Sequence, residues 1–361
     1  MLRYKHAGNS KFFHRYAGIL AAGLFSFFVF GSCSSEKPEM VSESDFALGT
    51  TCRVQLYSTS QEKFLQPALD LAKEVEEIMS VNIPDSEISR INHAAGEDAV
   101  SVSEGTWRLL KRGQEFSRMS GGIFDITVGP LVDLWAIGTG EERVPGDQEL
   151  EEVLELVDYR DLELTIEGRQ ARLARRGMSI DLGGIAKGYA ADIMVEYLNG
   201  EGVDFGIINL GGNVYAFGEK YGEDPWKIGI QSPYEERGKY IGIVEVRNKA
   251  VVTSGKYERY FMDDGVRYHH ILSTADGYPI ENGVASVSVV SEDATAADAL
   301  STLLFGLGLE EGLRRAEAME GVEAIIIDEE HTVYTTSGLR DTFSLTDEDF
   351  KRGESRIILE N

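Results

Sequence analysis

Apolar residues recur at two spacings along the 361-residue chain, and these spacings predict both helices and strands. Leu65, Leu69, Ala72, Val75 and Ile78 recur at helical spacing. Similar patterns predict helices over 103–119, 147–157, a segment that begins at 186, and 295–307. The runs that predict strands are 48–57, 178–182, 206–210, 226–230, 240–246, 250–253, 267–272, 284–290, 322–327 and 332–336. Because the two types do not alternate strictly, the pattern favours an α+β fold over a doubly wound sheet.

The beginning of the chain has the pattern of an export signal. Basic residues precede an apolar run over 17–30, which is too short for a typical membrane span. Gly31-Ser32-Cys33 resembles a bacterial lipoprotein processing site at which Cys33 is lipidated, and the alternative is ordinary secretion with an incidental cysteine. We predict a lipoprotein signal peptide over 1–32, a flexible tether over 33–45, a folded domain over 46–350 and a C-terminal tail over 351–361. The protein would be anchored by its lipid at the periplasmic face of the bacterial inner membrane.

The net charge limits the kinds of partner that the protein can bind, and the cysteine content limits its disulfide bonds. The formal charge is −26, and removal of residues 1–32 takes away four basic residues and no acids, which gives −26 − 4 = −30. Such a chain is not expected to bind nucleic acid or to adsorb electrostatically on anionic lipid. If Cys33 is lipidated, Cys52 has no cysteine partner in the chain, so the fold must be held by its core.

A double glycine stands between the predicted strand 178–182 and the helix that begins at 186. The segment Asp181-Leu182-Gly183-Gly184 is followed by Lys187 in the first helical turn. Backbone amides at a helix N-terminus together with a lysine suit a phosphate group. The alternative for an isolated Gly-Gly pair is a tight bend without a ligand.

Two further glycine-rich segments have the composition of ligand-binding loops. In 120–131, Phe124 could stack on a planar ring and Asp125 could accept hydrogen bonds from it. A helix stop followed by a buried aromatic residue explains the same segment equally well. In 208–213, Asn209 and a second double glycine suit contact with a nucleotide, or the corner of a β-hairpin.

The predicted helix 295–307 carries oxygen-bearing side chains on one face, because Asp298, Ser301 and Thr302 are three and four positions apart. One carboxylate with hydroxyls and nearby carbonyls suits Mg²⁺. The alternative is a helix whose polar residues cap it and face water. His269 and His270 lie next to each other in a predicted strand and point to opposite faces, so at most one of them enters a given site.

These segments, in this order, resemble the ApbE family of FAD:protein FMN transferases. The resemblance also covers Leu48-Gly49-Thr50-Thr51 and the stretch from Pro84 to Asn92. It implies a two-lobed α+β fold with mixed sheets and helices packed on them. It also implies that FAD binds in a cleft and that the reaction uses Mg²⁺. It also implies transfer of the FMN half of FAD to a threonine or serine of an exported flavoprotein, with release of AMP. Some members instead transfer FMN to water and act as FAD pyrophosphatases.

The resemblance assigns roles to residues of this chain. It implies Asp298 and Thr302 as side-chain metal ligands, Ser301 as an extra ligand and Gly184 as a main-chain carbonyl ligand. The implied FAD contacts are Leu48, Ile123, Phe124, Asp125, Asp181, Lys187 and Leu272. His270 matches the histidine near the reacting centre, and either His270 or Asp181 would take the proton from the attacking hydroxyl.

Two departures from the family pattern stand out. Asn82 occupies a position where the family commonly has an aromatic residue against FAD, which could admit water and favour hydrolysis. The sequence Ser273-Thr274-Ala275-Asp276 replaces the usual Asp-Pro-x-Thr. The competing functions are a pure FAD pyrophosphatase and a flavin-binding lipoprotein without catalysis.

Overall fold

The structure, a computed structural model, describes residues 39–220 and 224–354. The predicted signal peptide and Cys33 lie outside the described residues. The helices are α1 (Leu65–Met79), α2 (Glu87–His93), α3 (Glu104–Ser120), α4 (Gly129–Trp135), α5 (Asp147–Leu154), α6 (Ala186–Gly200), α7 (Ala294–Leu307) and α8 (Leu309–Glu317). Short 3-10 helices cover Thr59–Phe64, Tyr159–Asp161 and Ser337–Leu339.

The strands run from one end of the described chain to the other. They are β1 (Val41–Ala47), β2 (Thr50–Leu56), β3 (Val100–Ser101), β4 (Leu162–Thr165), β5 (Gln170–Leu173), β6 (Gly206–Leu210), β7 (Asn213–Phe217), β8 (Trp226–Gln231), β9 (Tyr240–Val246), β10 (Lys249–Gly255), β11 (Tyr260–Asp263), β12 (Val266–His269), β13 (Val284–Ser291), β14 (Val322–Asp328), β15 (Thr332–Thr335), β16 (Phe343–Leu345) and β17 (Lys351–Arg352). The predicted α+β class is confirmed.

The main sheet has the order β1-β2-β6-β7-β10-β13-β14-β15-β17 and is antiparallel except for the parallel pair β15–β17. Smaller sheets have the orders β16-β9-β8, β3-β5-β4 and β11-β12. All eight residues of β13 are buried, so this strand lacks the alternation of a half-exposed strand. It is covered on both faces: Val287 and Val289 belong to the same core cluster as the apolar residues of α7, whereas Val290 packs with β8 and β9.

Helix packing brings the proposed ligand segments together. Helix α7 packs on β10 and β13, and α6 packs on α7 and α1. The N-terminus of α7 is capped by Asp293, whose carboxylate accepts a hydrogen bond of 2.8 Å from the amide of Ala296. Asp192 of α6 accepts bonds from the amides of Ala294 and Thr295 at 2.9 and 2.8 Å. These bonds fix the register in which α6 and α7 face each other.

The structure corrects the predicted N-terminal boundaries. The predicted tether over 33–45 is too long, because residues 41–45 belong to β1. The predicted strand 48–57 is β2 preceded by a two-residue turn, in which Leu48 and Gly49 have φ angles of 54° and 68°. Such positive φ angles at both central residues are typical of tight hairpins.

Three other predicted boundaries are wrong. Residues 178–182 are extended but not a strand, since their pairing is one isolated bridge between Ser179 and Val128. The helix predicted over 147–157 ends at Leu154. The predicted tail begins too early, because Lys351 and Arg352 pair with β15.

Two features of the described residues relate to the predicted membrane attachment and to the cysteines. Within 39–220 and 224–354, no helix is both long enough and apolar enough to cross a membrane. Cys52 is a buried free cysteine on β2.

Candidate functional site

The turn that precedes α6 is held by its own side chains. The Oδ1 atom of Asp181 accepts a 2.7 Å hydrogen bond from the amide of Gly183, and the amide of Asp181 donates to the carbonyl of Ile126 at 2.9 Å. Lys187 lies in the first turn of α6, as predicted, and its Nζ donates to the carbonyl of Gly183 at 3.2 Å. Because Lys187 folds back over the turn, its ammonium group adds to the positive end of α6 at the position where a phosphate would bind.

Asp298 is the charged centre of the site and is 4% exposed. Its Oδ2 accepts a 2.9 Å bond from the amide of Gly188, and its Oδ1 accepts a 3.0 Å bond from Nδ2 of Asn213. A Cβ atom on Gly188 would lie 2.2 Å from the carbonyl oxygen of Ala294, so only glycine permits this approach of α6 to α7. The carboxylate thus joins α6, α7 and β7, and each oxygen keeps a lone pair for a further partner.

The other predicted metal ligands lie beside Asp298. A Cβ built on Gly184 would be 3.7 Å from Oγ1 of Thr302, which brings the α6 turn against α7. Ser301 is fully buried, and its Oγ donates to the carbonyl of Asp298 at 2.8 Å. On β10, Ser254 Oγ lies 2.8 Å from Ser301 Oγ and 3.1 Å from Thr302 Oγ1.

This donor set is chemically suited to Mg²⁺, because it offers one carboxylate, hydroxyls and a backbone carbonyl, all oxygen atoms. Within the described residues there is no group of three or more His, Cys, Asp or Glu side chains placed to hold a metal ion. Asp298 is the only charged side chain among the predicted ligands, and so few protein ligands would leave positions on a cation for phosphate oxygens and water.

The paired histidines have different environments, although the predicted strand 267–272 is too long: β12 ends at His269, and His270 lies just beyond it. His269 is fully buried, and its Nε2 lies 3.1 Å from the carbonyl of Ile280. His270 is half-buried, and its Nδ1 lies 3.1 Å from the carbonyl of Arg259. Since a carbonyl only accepts, Nδ1 of neutral His270 carries the proton and Nε2 keeps a free lone pair. Burial, aided by the guanidinium of Arg259, lowers the pKa of His270.

Two of the predicted FAD contacts are part of the protein interior. Phe124 is buried and meets Phe116 edge-on, at 6.5 Å between ring centroids. The carboxylate of buried Asp125 accepts bonds of 2.8 Å from the amide and hydroxyl of Thr127 and from the amide of Tyr159. In the structure Phe124 is thus a packed aromatic that also lies against the Gly184 turn, and Asp125 is a carboxylate that holds its own loop; their contacts with FAD stay predictions. Burial raises the pKa of Asp125, although these hydrogen bonds oppose the shift.

Four further predicted contacts are spread over other elements. Leu48 is in the β1–β2 turn, and Asn82 is exposed in the turn after α1. Asn209 accepts a 2.9 Å bond from the amide of Gly212, which favours its reading as a hairpin corner. Leu272 packs in an apolar cluster with Leu131, Trp135 and Leu150.

The remaining contact, Ile123, lines a cavity of about 490 Å³ together with the loop 273–276. Thr274 ties that loop to the glycine-rich segment by donating a 2.7 Å hydrogen bond to the carbonyl of Gly122. The segment that departs from the family pattern therefore forms one wall of a cavity beside the predicted flavin-contact loop.

Sequence reasoning did not single out three residues of the site: Gly188, Asn213 and Ser254. Asn213 stands in the glycine-rich segment 208–213, whereas Gly188 directly follows Lys187 and Ser254 directly follows the predicted strand 250–253. Their contacts with Asp298, Ser301 and Thr302 join residues 47 to 110 positions apart. The best available signal was the adjacency of Asn213 to a double glycine and of Ser254 to Gly255.

Comparisons with known proteins show the family to which the chain belongs. A sequence profile of the ApbE family matches residues 48–326. The chain belongs to the ApbE family. It is 36% identical over 338 residues to the FAD:protein FMN transferase of Treponema pallidum (strain Nichols), covering 89% of this chain and 93% of that protein. It is also 36% identical over 310 residues to the FAD:protein FMN transferase of Klebsiella pneumoniae (strain 342), covering 86% and 96% of the two chains.

Solved structures of ApbE proteins share the fold. The ApbE protein of Thermotoga maritima superposes with a TM-score of 0.78 at 34% identity, covering 83% of this chain and 97% of its own. The flavin transferase ApbE of Vibrio cholerae superposes with a TM-score of 0.74 at 31% identity, covering 84% and 99%. The ApbE resemblance that the sequence motifs predicted is confirmed.

Proposed function

We propose that this protein transfers the FMN moiety of FAD to a threonine or serine hydroxyl of an exported flavoprotein and releases AMP, in a reaction that depends on Mg²⁺. The observation that carries the proposal is the buried carboxylate of Asp298, which lies against the N-terminal turn of α6 and beside Thr302. Two neutral donors only partly offset the cost of burying a charge, and a bound cation would offset more of it.

The chain's own residues support each part of the reaction. Lys187 and the amides at the start of α6 bind the phosphate oxygens of FAD. Asp298, Thr302 and the carbonyl of Gly184 would hold Mg²⁺, which would neutralise the charge that develops on the leaving phosphate. The attacking hydroxyl oxygen bonds to the FMN phosphorus, the bond from that phosphorus to the bridging oxygen breaks, and AMP leaves. His270 Nε2 takes the hydroxyl proton, and Asp181 is the alternative base.

One assay distinguishes FMN transfer to a protein from the two competing functions, FAD hydrolysis and flavin binding without catalysis. Purified protein is incubated with FAD, Mg²⁺ and a candidate acceptor, followed by mass spectrometry of the acceptor and by measurement of free FMN and AMP. A mass increase equal to FMN supports transfer. FMN and AMP without a modified acceptor would indicate an FAD pyrophosphatase, and binding of FAD without turnover would leave a flavin-binding lipoprotein.

Asn82 favours some hydrolysis as a second activity, because an exposed amide offers little surface to a flavin ring. We expect Asn82→Tyr to shift the products towards transfer. A well-placed aromatic pair contributes about 0.5–1.5 kcal/mol, which changes a product ratio by roughly 2- to 13-fold. The measurement is the ratio of free FMN to flavinylated acceptor at equal FAD and Mg²⁺. Val81→Tyr is the matched control, and an equal ratio in Asn82→Tyr and wild type, with FAD binding intact, would contradict the prediction.

Anchoring by lipid at Cys33 is a further part of the proposal and is supported by the short apolar run before it. We expect Cys33→Ser to abolish attachment to the membrane, because a serine has no thiol to accept lipid, while the exported domain keeps its activity. The measurement is the distribution of protein between membrane and soluble fractions, with Ser34→Ala as the control. Exported Cys33→Ser that still sediments with membranes would count against a lipoprotein.

A further inference from the structure

A chain of hydroxyl groups connects β10 to the proposed metal site. Thr302 Oγ1 lies 3.1 Å from Ser254 Oγ, and Ser254 Oγ lies 2.8 Å from Ser301 Oγ. Ser301 Oγ is in turn 2.8 Å from the carbonyl oxygen of Asp298. This series of hydroxyl groups therefore begins at Thr302, one proposed metal ligand, and ends on the backbone carbonyl of Asp298, another proposed ligand.

The direction of every hydrogen bond in this series of hydroxyl groups follows from its final acceptor, the carbonyl oxygen of Asp298. Each hydroxyl has one proton, and a carbonyl oxygen has none, so Ser301 must donate to Asp298. The proton between Ser254 and Ser301 then belongs to Ser254. Since Ser254 has no second proton, Thr302 must be the donor in its contact with Ser254.

The direction of these hydrogen bonds determines which of the two α7 hydroxyls, Ser301 or Thr302, is available to a metal ion. The proton of Thr302 points towards β10, which leaves its lone pairs for a cation on the side of Gly184. Ser301 is fully buried and already bonded to Ser254 and to Asp298, so it acts in the support of the site. Thr302 is the hydroxyl that remains available as a ligand.

We infer that Ser254 is a positioning residue, which turns the Thr302 hydroxyl so that its lone pairs face Mg²⁺. The inference rests on the proposed function, because it requires the metal site built on Asp298 and Thr302. Outer partners of this kind typically change metal affinity by about 10- to 100-fold when they are removed. Nothing in Ser254 itself needs to touch the metal or the substrate.

The same two strands contain a matched control. Thr253 and Ser288 form a second pair of hydroxyls, 2.7 Å apart, at directly paired positions of β10 and β13. Because neighbouring residues of a strand point to opposite faces, Thr253 points away from α7, whereas Ser254 points towards it. Ser288→Ala therefore deletes a buried hydroxyl from the same sheet without touching the chain to Thr302.

The test is Mn²⁺ binding to the purified protein, measured by electron paramagnetic resonance in the absence of FAD, with Mn²⁺ as the probe for Mg²⁺. We expect Ser254→Ala to raise the Mn²⁺ dissociation constant by about tenfold or more. Ser301→Ala should raise it by a smaller factor, because Ser254 is then released to donate to Thr302. Ser288→Ala should bind as wild type does. Thermal unfolding in EDTA checks that each variant is folded.

The outcomes separate this inference from the proposed function. If wild type binds Mn²⁺ and both Ser254→Ala and Ser301→Ala bind it equally well, the role of Ser254 is overturned and the metal site stands. If wild type does not bind Mn²⁺ and its turnover is independent of Mg²⁺, the metal site is overturned, and the role of Ser254 with it. Should Ser254→Ala fail to fold, the Ser301→Ala measurement decides, since it breaks the same chain at its other end.

Discussion

Asp298→Asn is expected to lower FMN transfer by at least about 100-fold and to remove its dependence on Mg²⁺, because loss of an outer partner alone costs up to about that factor. The substitution keeps the shape of the side chain. Its oxygen can still accept from the amide of Gly188, and Asn213 can turn its amide to accept from the new amino group. The change therefore removes the charge of the proposed ligand set while it keeps the packing of α6 against α7.

The measurement is the initial rate of transfer over a range of Mg²⁺ concentrations, alongside the melting temperature in EDTA. Ser301→Ala is the matched control on the same helix, and it should cost far less activity, because its hydroxyl supports the site without supplying charge. If Asp298→Asn keeps the Mg²⁺ dependence of wild type, Asp298 is not the metal ligand.

His270→Gln is expected to lower the rate constant of transfer by about 10²- to 10⁴-fold, the contribution of a general base. Glutamine can still donate to the carbonyl of Arg259, but it has no basic lone pair at the position of Nε2. His269→Gln is the control: His269 is fully buried and bonded to the carbonyl of Ile280, so its loss should reduce stability more than the rate. A wild-type rate in His270→Gln would leave Asp181 as the base.

The pH profile gives an independent test of the same residue. Burial first, and then the positive charges of Arg259 and Lys187 and the neighbouring His269, lower the pKa of His270, so its imidazole is neutral at pH 7. Protonation on acidification removes the Nε2 lone pair. Because the pKa of His270 is lowered to about 3, the rate should hold through the ordinary histidine range and fall only as the pH approaches that value. We expect kcat/KM of wild type to show this acid limb and that of His270→Gln to lack it.

Much of the fold could be predicted from local patterns. Helices α1, α3 and α7 follow from apolar periodicity, and β6 and β9 were predicted with the bounds that the structure has. The short elements were harder: 178–182 alternates like a strand but forms only one bridge, and both backbone groups of Ile180 are hydrogen-bonded to the side chain of Asn92 instead. Periodicity reports which side of a segment is buried, whereas pairing depends on what lies beside it.

The sequence by itself determined the family, the segments that form the site and the oxygen chemistry of α7, because several family motifs that occur in the same order along the chain are specific even without coordinates. Only the tertiary structure decided which contacts each of those side chains makes within the protein. Phe124 packs edge-on against Phe116, and Asp125 is hydrogen-bonded to Thr127 and Tyr159, which the sequence does not indicate. Ser254 looks unremarkable in the sequence, yet it orients Thr302. The physical reason is that composition fixes what a side chain can donate or accept, whereas its partner is fixed by packing between segments that are distant along the chain.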